Sequence, residues 1–169
     1  MQTAVQTKQP ILQVGFAGLA VKELQRLLQK RVPDVQGLKV DGIFGETTKL
    51  AVQVFQQRVF LKADGIVGHN TWEALYTGQR QDLPALRRGC YGSEVARVQK
   101  VLKLSQIAQQ QLGLKGYYFG AVDSDFGIKT EVAVKLFQQE NKLVTDGVIG
   151  PVTWTALMEL NTRVSHVSL

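Results

Sequence analysis

Apolar residues recur at helical spacing in three short stretches, and the whole arrangement then repeats. Val21, Leu24, Leu27 and Leu28 form one stripe, with Lys22, Glu23, Gln25 and Arg26 between them, which predicts an amphipathic helix over 21–30. Leu50, Ala51, Val54 and Phe55 predict a second helix over 46–58, and Trp72 and Leu75 anchor a short third helix over 69–76. Strand-like alternation is weak throughout. The one candidate for brief pairing is Gly37-Leu38-Lys39-Val40.

The segment from Asp41 to Leu75 aligns with Asp123 to Leu157 at a constant offset of 82. Upstream, Leu12, Gly15, Gly18, Val21, Gln25 and Leu28 meet Leu86, Gly89, Gly92, Val95, Gln99 and Leu102 at an offset of 74, so the second copy holds eight extra residues. These fall within Lys103 to Val122, a stretch that contains Gln109-Gln110-Gln111 and Gly116-Tyr117-Tyr118-Phe119-Gly120. A repeat of this length marks two copies of one structural unit. The expected modules are 11–78 and 85–161, joined by the polar stretch from Thr77 to Pro84. The tails 1–10 and 162–169 are expected to be unpacked.

A finer motif occurs four times at one spacing: Asp41, Gly45, Thr48; Asp64, Gly68, Thr71; Asp123, Gly127, Thr130; and Asp146, Gly150, Thr153. Each copy precedes a predicted helix. Aspartate can close an Asx-turn on the backbone N–H two residues on. Pro151 directly follows Gly150, at the first helical position where proline is favoured, so the four glycines are expected at N-caps. Each threonine then sits three residues on and is expected to bond back toward the cap, as in a weaker capping box. Phe44, Val67, Phe126 and Ile149 inside the motif are expected to enter the core, as are Trp72 and Trp154. Capping alone explains Asp, Gly and Thr here, so the structural role is preferred to four ligand sites.

The net charge of +6 favours an anionic partner in general. It is spread along the chain, however, with no basic run longer than Lys30-Arg31 or Arg87-Arg88, so no nucleic-acid partner is expected. The single cysteine, Cys90, excludes an internal disulfide. Residues 1–10 carry no apolar run, so no signal peptide is expected, and no stretch approaches the roughly 20 apolar residues of a membrane span.

Three linked blocks resemble the type-1 peptidoglycan-binding domain family. They read LQVGFAGLAVKELQ, DGIFGETTKLAVQVFQ and DGIVGHNTWEAL in the first copy, and LRRGCYGSEVARVQ, DSDFGIKTEVAVKLFQ and DGVIGPVTWTAL in the second. The departures are Ser124 for Gly42, Asp125 for Ile43 and Val98 for Leu24, together with the enlarged first loop of the second copy. The resemblance implies an all-α protein of two tandem three-helix bundles that binds cell-wall peptidoglycan, in the cell envelope or periplasm, as a possible targeting partner of a wall hydrolase. The same bundle also occurs in zymogen prosegments, so a protein-interaction scaffold that lost wall binding is the alternative.

No catalytic centre emerges from the residues. His69 and His166 lie in no H-E-x-x-H or H-x-H pattern, so no metal site is expected, and no cofactor. His69 aligns with Pro151, at a solvent-facing first turn. Cys90 has no histidine nearby in sequence and aligns with Phe16, which marks it as a filler at the module entrance rather than a nucleophile. Asp123-Ser124-Asp125 begins like a calcium loop, but Val134 stands where the bidentate Glu is required. A paired-carboxylate glycosidase stays open by sequence, yet two small bundles leave no third domain for its cleft, so the chain is expected not to be an enzyme. A wall polymer calls for aromatic platforms, amide-type groups and cations. The candidate ligand-binding residues are Gln57, Arg58 and Gln139 at the ends of the long helices, and Tyr117 and Tyr118 in the insert.

Overall fold

The computed structural model describes residues 9–113 and 117–165, with side chains at all of these but 104–112 and 165. The chain forms two compact units, Met1–Gln81 and Asp82–Leu169. Unit 1 holds α1 (Leu19–Arg31), α2 (Glu46–Arg58) and α3 (His69–Thr77). Unit 2 holds α4 (Ser93–Leu112), α5 (Ile128–Glu140) and α6 (Pro151–Ser165). Among the described residues there is no strand, only isolated bridges, so the fold is all-α.

In unit 1 the core gathers Val21, Leu24 and Leu28 from α1, Ala51, Val52 and Phe55 from α2, and Trp72 and Leu75 from α3. Phe44 and Val67, from the turns before α2 and α3, close it, as Phe126 and Ile149 do in unit 2. The buried face of α2 is rotated from the one its sequence suggests: Leu50 is 47% exposed, while Val52 is fully buried. The apolar set on α2 is nearly continuous, so periodicity alone does not select the face. In unit 2, α4 has 20 residues against 13 in α1. Part of the insertion is therefore helix rather than loop.

The expected pairing at Gly37–Val40 does not form. The bridges lie where the chain entering each unit crosses the turns that feed its later helices. Leu12 and Val67 exchange N–H···O bonds of 3.1 and 2.8 Å, and Leu86 and Ile149 repeat these distances in unit 2. Trp72 Nε1 donates to the Pro10 carbonyl and Trp154 Nε1 to that of Pro84, each at 2.8 Å. Residues 9 and 10 are thus held, contrary to the unpacked tail expected over 1–10, and Gln9 also donates to the Tyr76 hydroxyl. At the other end α6 runs on to Ser165 and buries Val164, so the tail expected from 162 begins as helix.

Gly78 closes α3 in the left-handed region with φ 91°, its N–H donating to Ala74. Arg31 reaches across from α1 and donates to the Leu75 and Tyr76 carbonyls at 2.9 and 2.8 Å, satisfying acceptors that the end of a helix leaves open. At the position of Gly42 (φ 82°) unit 2 has Ser124, which adopts φ 64° with a Cβ in place. A bulkier side chain than Ser would strain this turn further.

Candidate functional site

Four buried glutamines organise the turns of this protein. Gln25 Nε2 donates to Asp41 Oδ1 (2.8 Å), to the Ile43 carbonyl (3.0 Å) and to Thr48 Oγ1 (3.2 Å), while its Oε1 accepts from the Gly42 N–H (2.8 Å). Gln56 binds Asp64, Ile66, Thr71 and the Gly65 N–H in the same way. Gln99 clasps Asp123, Asp125 and Thr130, and accepts from the Ser124 N–H. Gln138 clasps Asp146, Val148 and Thr153, and accepts from the Gly147 N–H. An amide has two N–H bonds for these three acceptors, so one is shared. The sequence places Gln25 on the polar side of its helix; instead all four glutamines are buried, because each turn supplies the partners an amide needs.

Each aspartate closes the Asx-turn: Asp41, Asp64, Asp123 and Asp146 accept from the N–H two residues on, at 2.8–3.1 Å. At Asp41, Asp123 and Asp146 such bonds hold the carboxylate pKa below its ordinary value. At Asp41 and Asp146 the backbone N–H is the larger cause and the glutamine the second; at Asp123 the order is reversed. Gly45, Gly68 and Gly127 are the N-caps of α2, α3 and α5, and Gly150 stands just before α6. The threonines bond back past the caps: the Thr48, Thr130 and Thr153 hydroxyls donate to the Ile43, Asp125 and Val148 carbonyls, two residues before each cap glycine, at 3.5, 3.2 and 3.4 Å. Thr48, Thr71, Thr130 and Thr153 are also buried and accept from the glutamines.

The second clasp of each unit forms one wall of a groove. In unit 1 it runs between the end of α2 and the start of α3, lined by Gln56, Leu61, Asp64, Ile66, His69 and Thr71, with a volume of about 280 Å³. In unit 2 the matching residues Gln138, Leu143, Asp146, Val148, Pro151 and Thr153 line a groove of about 430 Å³ between α5 and α6. Either could receive one small moiety of a polymer. The glycine N-cap of α3 leaves that helix's first N–H groups uncovered by any side chain, and Pro151 brings no N–H to the start of α6.

The sequence candidates are scattered with respect to these grooves. Gln57 and Gln139 are exposed at the helix ends, outside the grooves. Arg58 is not an exposed group: it is 3% accessible and forms an ion pair with Asp34, from the loop after α1. Tyr117 and Tyr118 are not open platforms either, being 8% and 2% exposed. The Tyr117 hydroxyl donates to Glu140 at 2.7 Å, and its ring stands edge-on to Phe137 at 5.3 Å. Burial first, then this bond to Glu140, pushes the Tyr117 pKa well up. The Tyr118 hydroxyl donates to the Ala121 carbonyl at 2.6 Å. Tyr117 and Tyr118 thus pack into their own unit, while Phe119 beside them is exposed. His69 is exposed, and Cys90 is half-buried. His166, Gly116 and the side chains of Gln109-Gln110-Gln111 lie outside the described residues. Among the described residues no three His, Cys, Asp or Glu side chains gather as a metal site, and no helix is long and apolar enough to cross a membrane.

Residues 17–75 and 91–157 each match the family described as "Putative peptidoglycan binding domain". A "Probable N-acetylmuramoyl-L-alanine amidase" of Bacillus licheniformis is 30% identical over 159 residues, covering 89% of this chain and 45% of the amidase. The N-acetylmuramoyl-L-alanine amidase CwlM of Mycobacterium tuberculosis is 37% identical over 128 residues, covering 73% of this chain and 29% of that protein. The chain thus spans less than half the length of these curated relatives. Among solved structures, the SleB N-terminal domain is 34% identical with a TM-score of 0.39, covering 41% of this chain and 93% of that one. With the matched segments taking in both clasps of each unit, this chain belongs to the peptidoglycan-binding domain family and carries the domain twice.

Proposed function

We propose that the chain is a non-catalytic binder of bacterial cell-wall peptidoglycan that uses both of its domains and holds a wall enzyme on its substrate in the cell envelope. The observation that carries this reading is the recurrence of one groove, at matched positions, in both family-matched units. Two amidases among the relatives support a wall enzyme as the associated activity. A polymer that repeats its epitope rewards two linked weak sites, because the second binding event becomes intramolecular. The test is co-sedimentation with purified sacculi. The whole chain is expected in the pellet, more firmly than unit 1 or unit 2 alone, with no loss of turbidity from the suspension. Equal retention of a single unit and the whole chain would remove the two-site part of the reading, and loss of turbidity would remove the non-catalytic part.

The scaffold alternative has one observation in its favour. Ile128, Val132 and Leu136 stand exposed at four-residue intervals along α5, an apolar stripe on the solvent side of that helix. A chain that stays in the supernatant of the sacculus assay and pulls down a protein partner through this stripe would support it.

A further inference from the structure

The two grooves share their clasp and differ at their mouths. The walls made by Gln56, Asp64 and Thr71 recur as Gln138, Asp146 and Thr153. Each groove also has one lysine, Lys62 in unit 1 and Lys142 in unit 2, so neither the aspartate nor the number of lysines separates them. At three matched positions, however, Lys62, His69 and Asn70 are replaced by Val144, Pro151 and Val152. Val144 and Val152 are 79% and 68% exposed, so no packing demand explains valine there.

The exchange removes hydrogen-bond donors. Unit 1 presents the Lys62 ammonium, the imidazole N–H of His69, the side-chain amide of Asn70 and the backbone N–H of His69 at an N-terminus with no side-chain cap. At the matched positions unit 2 has two valines and a proline, which offer no side-chain donor and, at Pro151, no backbone N–H. Asp64 faces the same groove, but its Oδ1 is already taken by Gln56 and the Ile66 N–H. Lys62 stands 4.0 Å from Asp64 Oδ2 and is 81% exposed, so this solvated pair leaves the ammonium able to turn toward an anion.

We infer that the groove of unit 1 takes a carboxylate-bearing peptide end and that the groove of unit 2 does not. A carboxylate needs convergent donors and a positive local field; the uncapped first turn of α3 supplies both beside Lys62 and Asn70. Unit 2 offers a larger and more apolar groove without that donor set. This inference rests on the groove being the binding site for wall polymer, and it assigns the two domains different moieties of that polymer.

The test uses the full chain labelled with nitrogen-15 and three probes: N-acetyl-D-alanyl-D-alanine, its C-terminal amide, and acetate. The dipeptide acid is expected to shift the amide signals of Gly68, Asn70 and Thr71 saturably, about fivefold more tightly than the amide form. Acetate is expected to act at the same signals more weakly, since it lacks the peptide. Signals of Gly150, Val152 and Thr153 are expected not to distinguish acid from amide. In the variant Lys62→Val, His69→Pro, Asn70→Val the preference is expected to vanish. Unit 2 already folds with these residues, and an unchanged Gln56 side-chain signal verifies folding. Equal response to acid and amide, the same preference in both grooves, acetate binding as tightly as the dipeptide, or no saturable shift would each overturn the inference. A chain that fails to pellet with sacculi yet shows the acid preference would remove the wall-binding reading, and with it the assignment of the two domains to different moieties of that polymer, while the carboxylate preference of the unit 1 groove would remain.

Discussion

Gln138 on α5 and Thr153 on α6 meet inside unit 2, with the amide Nε2 3.2 Å from the hydroxyl Oγ1. The same amide ties down Asp146 and the Val148 carbonyl, so one side chain fixes the turn, the start of the next helix and the back of the groove. Gln138→Ala should therefore destabilise unit 2 by about 2–4 kcal/mol, since the Gly147 N–H loses its partner and Asp146, the Val148 carbonyl and Thr153 each lose one hydrogen bond. Gln139→Ala, one residue along and exposed, should change stability by less than about 0.5 kcal/mol. Urea unfolding followed by fluorescence of Trp154 in a Trp72→Phe background measures both.

The clasps also set an acid limit. Asp41, Asp123 and Asp146 have depressed pKa values in the folded chain, held down by backbone N–H groups and by the glutamine amides. A depressed carboxylate contributes stability that is present above its unfolded value, about 3.9, and is lost as pH falls through the folded value. Melting temperature should be flat on the neutral side of that value and fall below it. The variant Asp123→Asn should show a shallower fall than the parent chain in thermal scans at several acid pH values.

Arg58 serves unit 1 from within. Removing one partner of a buried ion pair leaves an uncompensated charge, so Asp34→Ala should cost about 3–5 kcal/mol, and Arg58→Ala a similar amount. Molecules of either variant that remain folded should be retained by sacculi as the parent chain is. Denaturation midpoints measured beside the pelleting assay separate the two effects.

Tyr117 is expected to behave in the same way on a smaller scale. Tyr117→Phe keeps the ring against Phe137 and removes the hydroxyl that donates to Glu140. It should lower the stability of unit 2 by about 1–2 kcal/mol without changing retention on sacculi. Loss of retention with unchanged stability would return Tyr117 to the binding surface.

Much of this architecture was legible in the sequence. The doubled blocks give two units, helical spacing gives three helices in each, and Gly150-Pro151 reveals where all four motif glycines sit. The glutamines were hidden by their polarity, because a polar residue on an amphipathic helix is normally read as solvent-facing. Their recurrence on the helix before every Asp-Gly-Thr motif was the available signal. The burial of Arg58 is not legible for a different reason: its partner Asp34 lies in another loop, and nothing local marks the pair. The grooves combine the end of one helix with the start of the next, and their surfaces depend on how the turn between them is clasped. Spacing along the chain does not report that.

The most direct test places a negative charge in each groove and asks whether the chain still holds the wall. Lys62→Glu and Val152→Glu both alter exposed groove residues, and a glutamate in the first turn of α6 is compatible with the helix dipole. In co-sedimentation with purified sacculi the parent chain should pellet, each single variant should pellet less, and the double variant should bind at least about tenfold more weakly, with melting temperatures unchanged. A parent chain left in the supernatant, or a double variant that pellets as the parent does, would contradict the account.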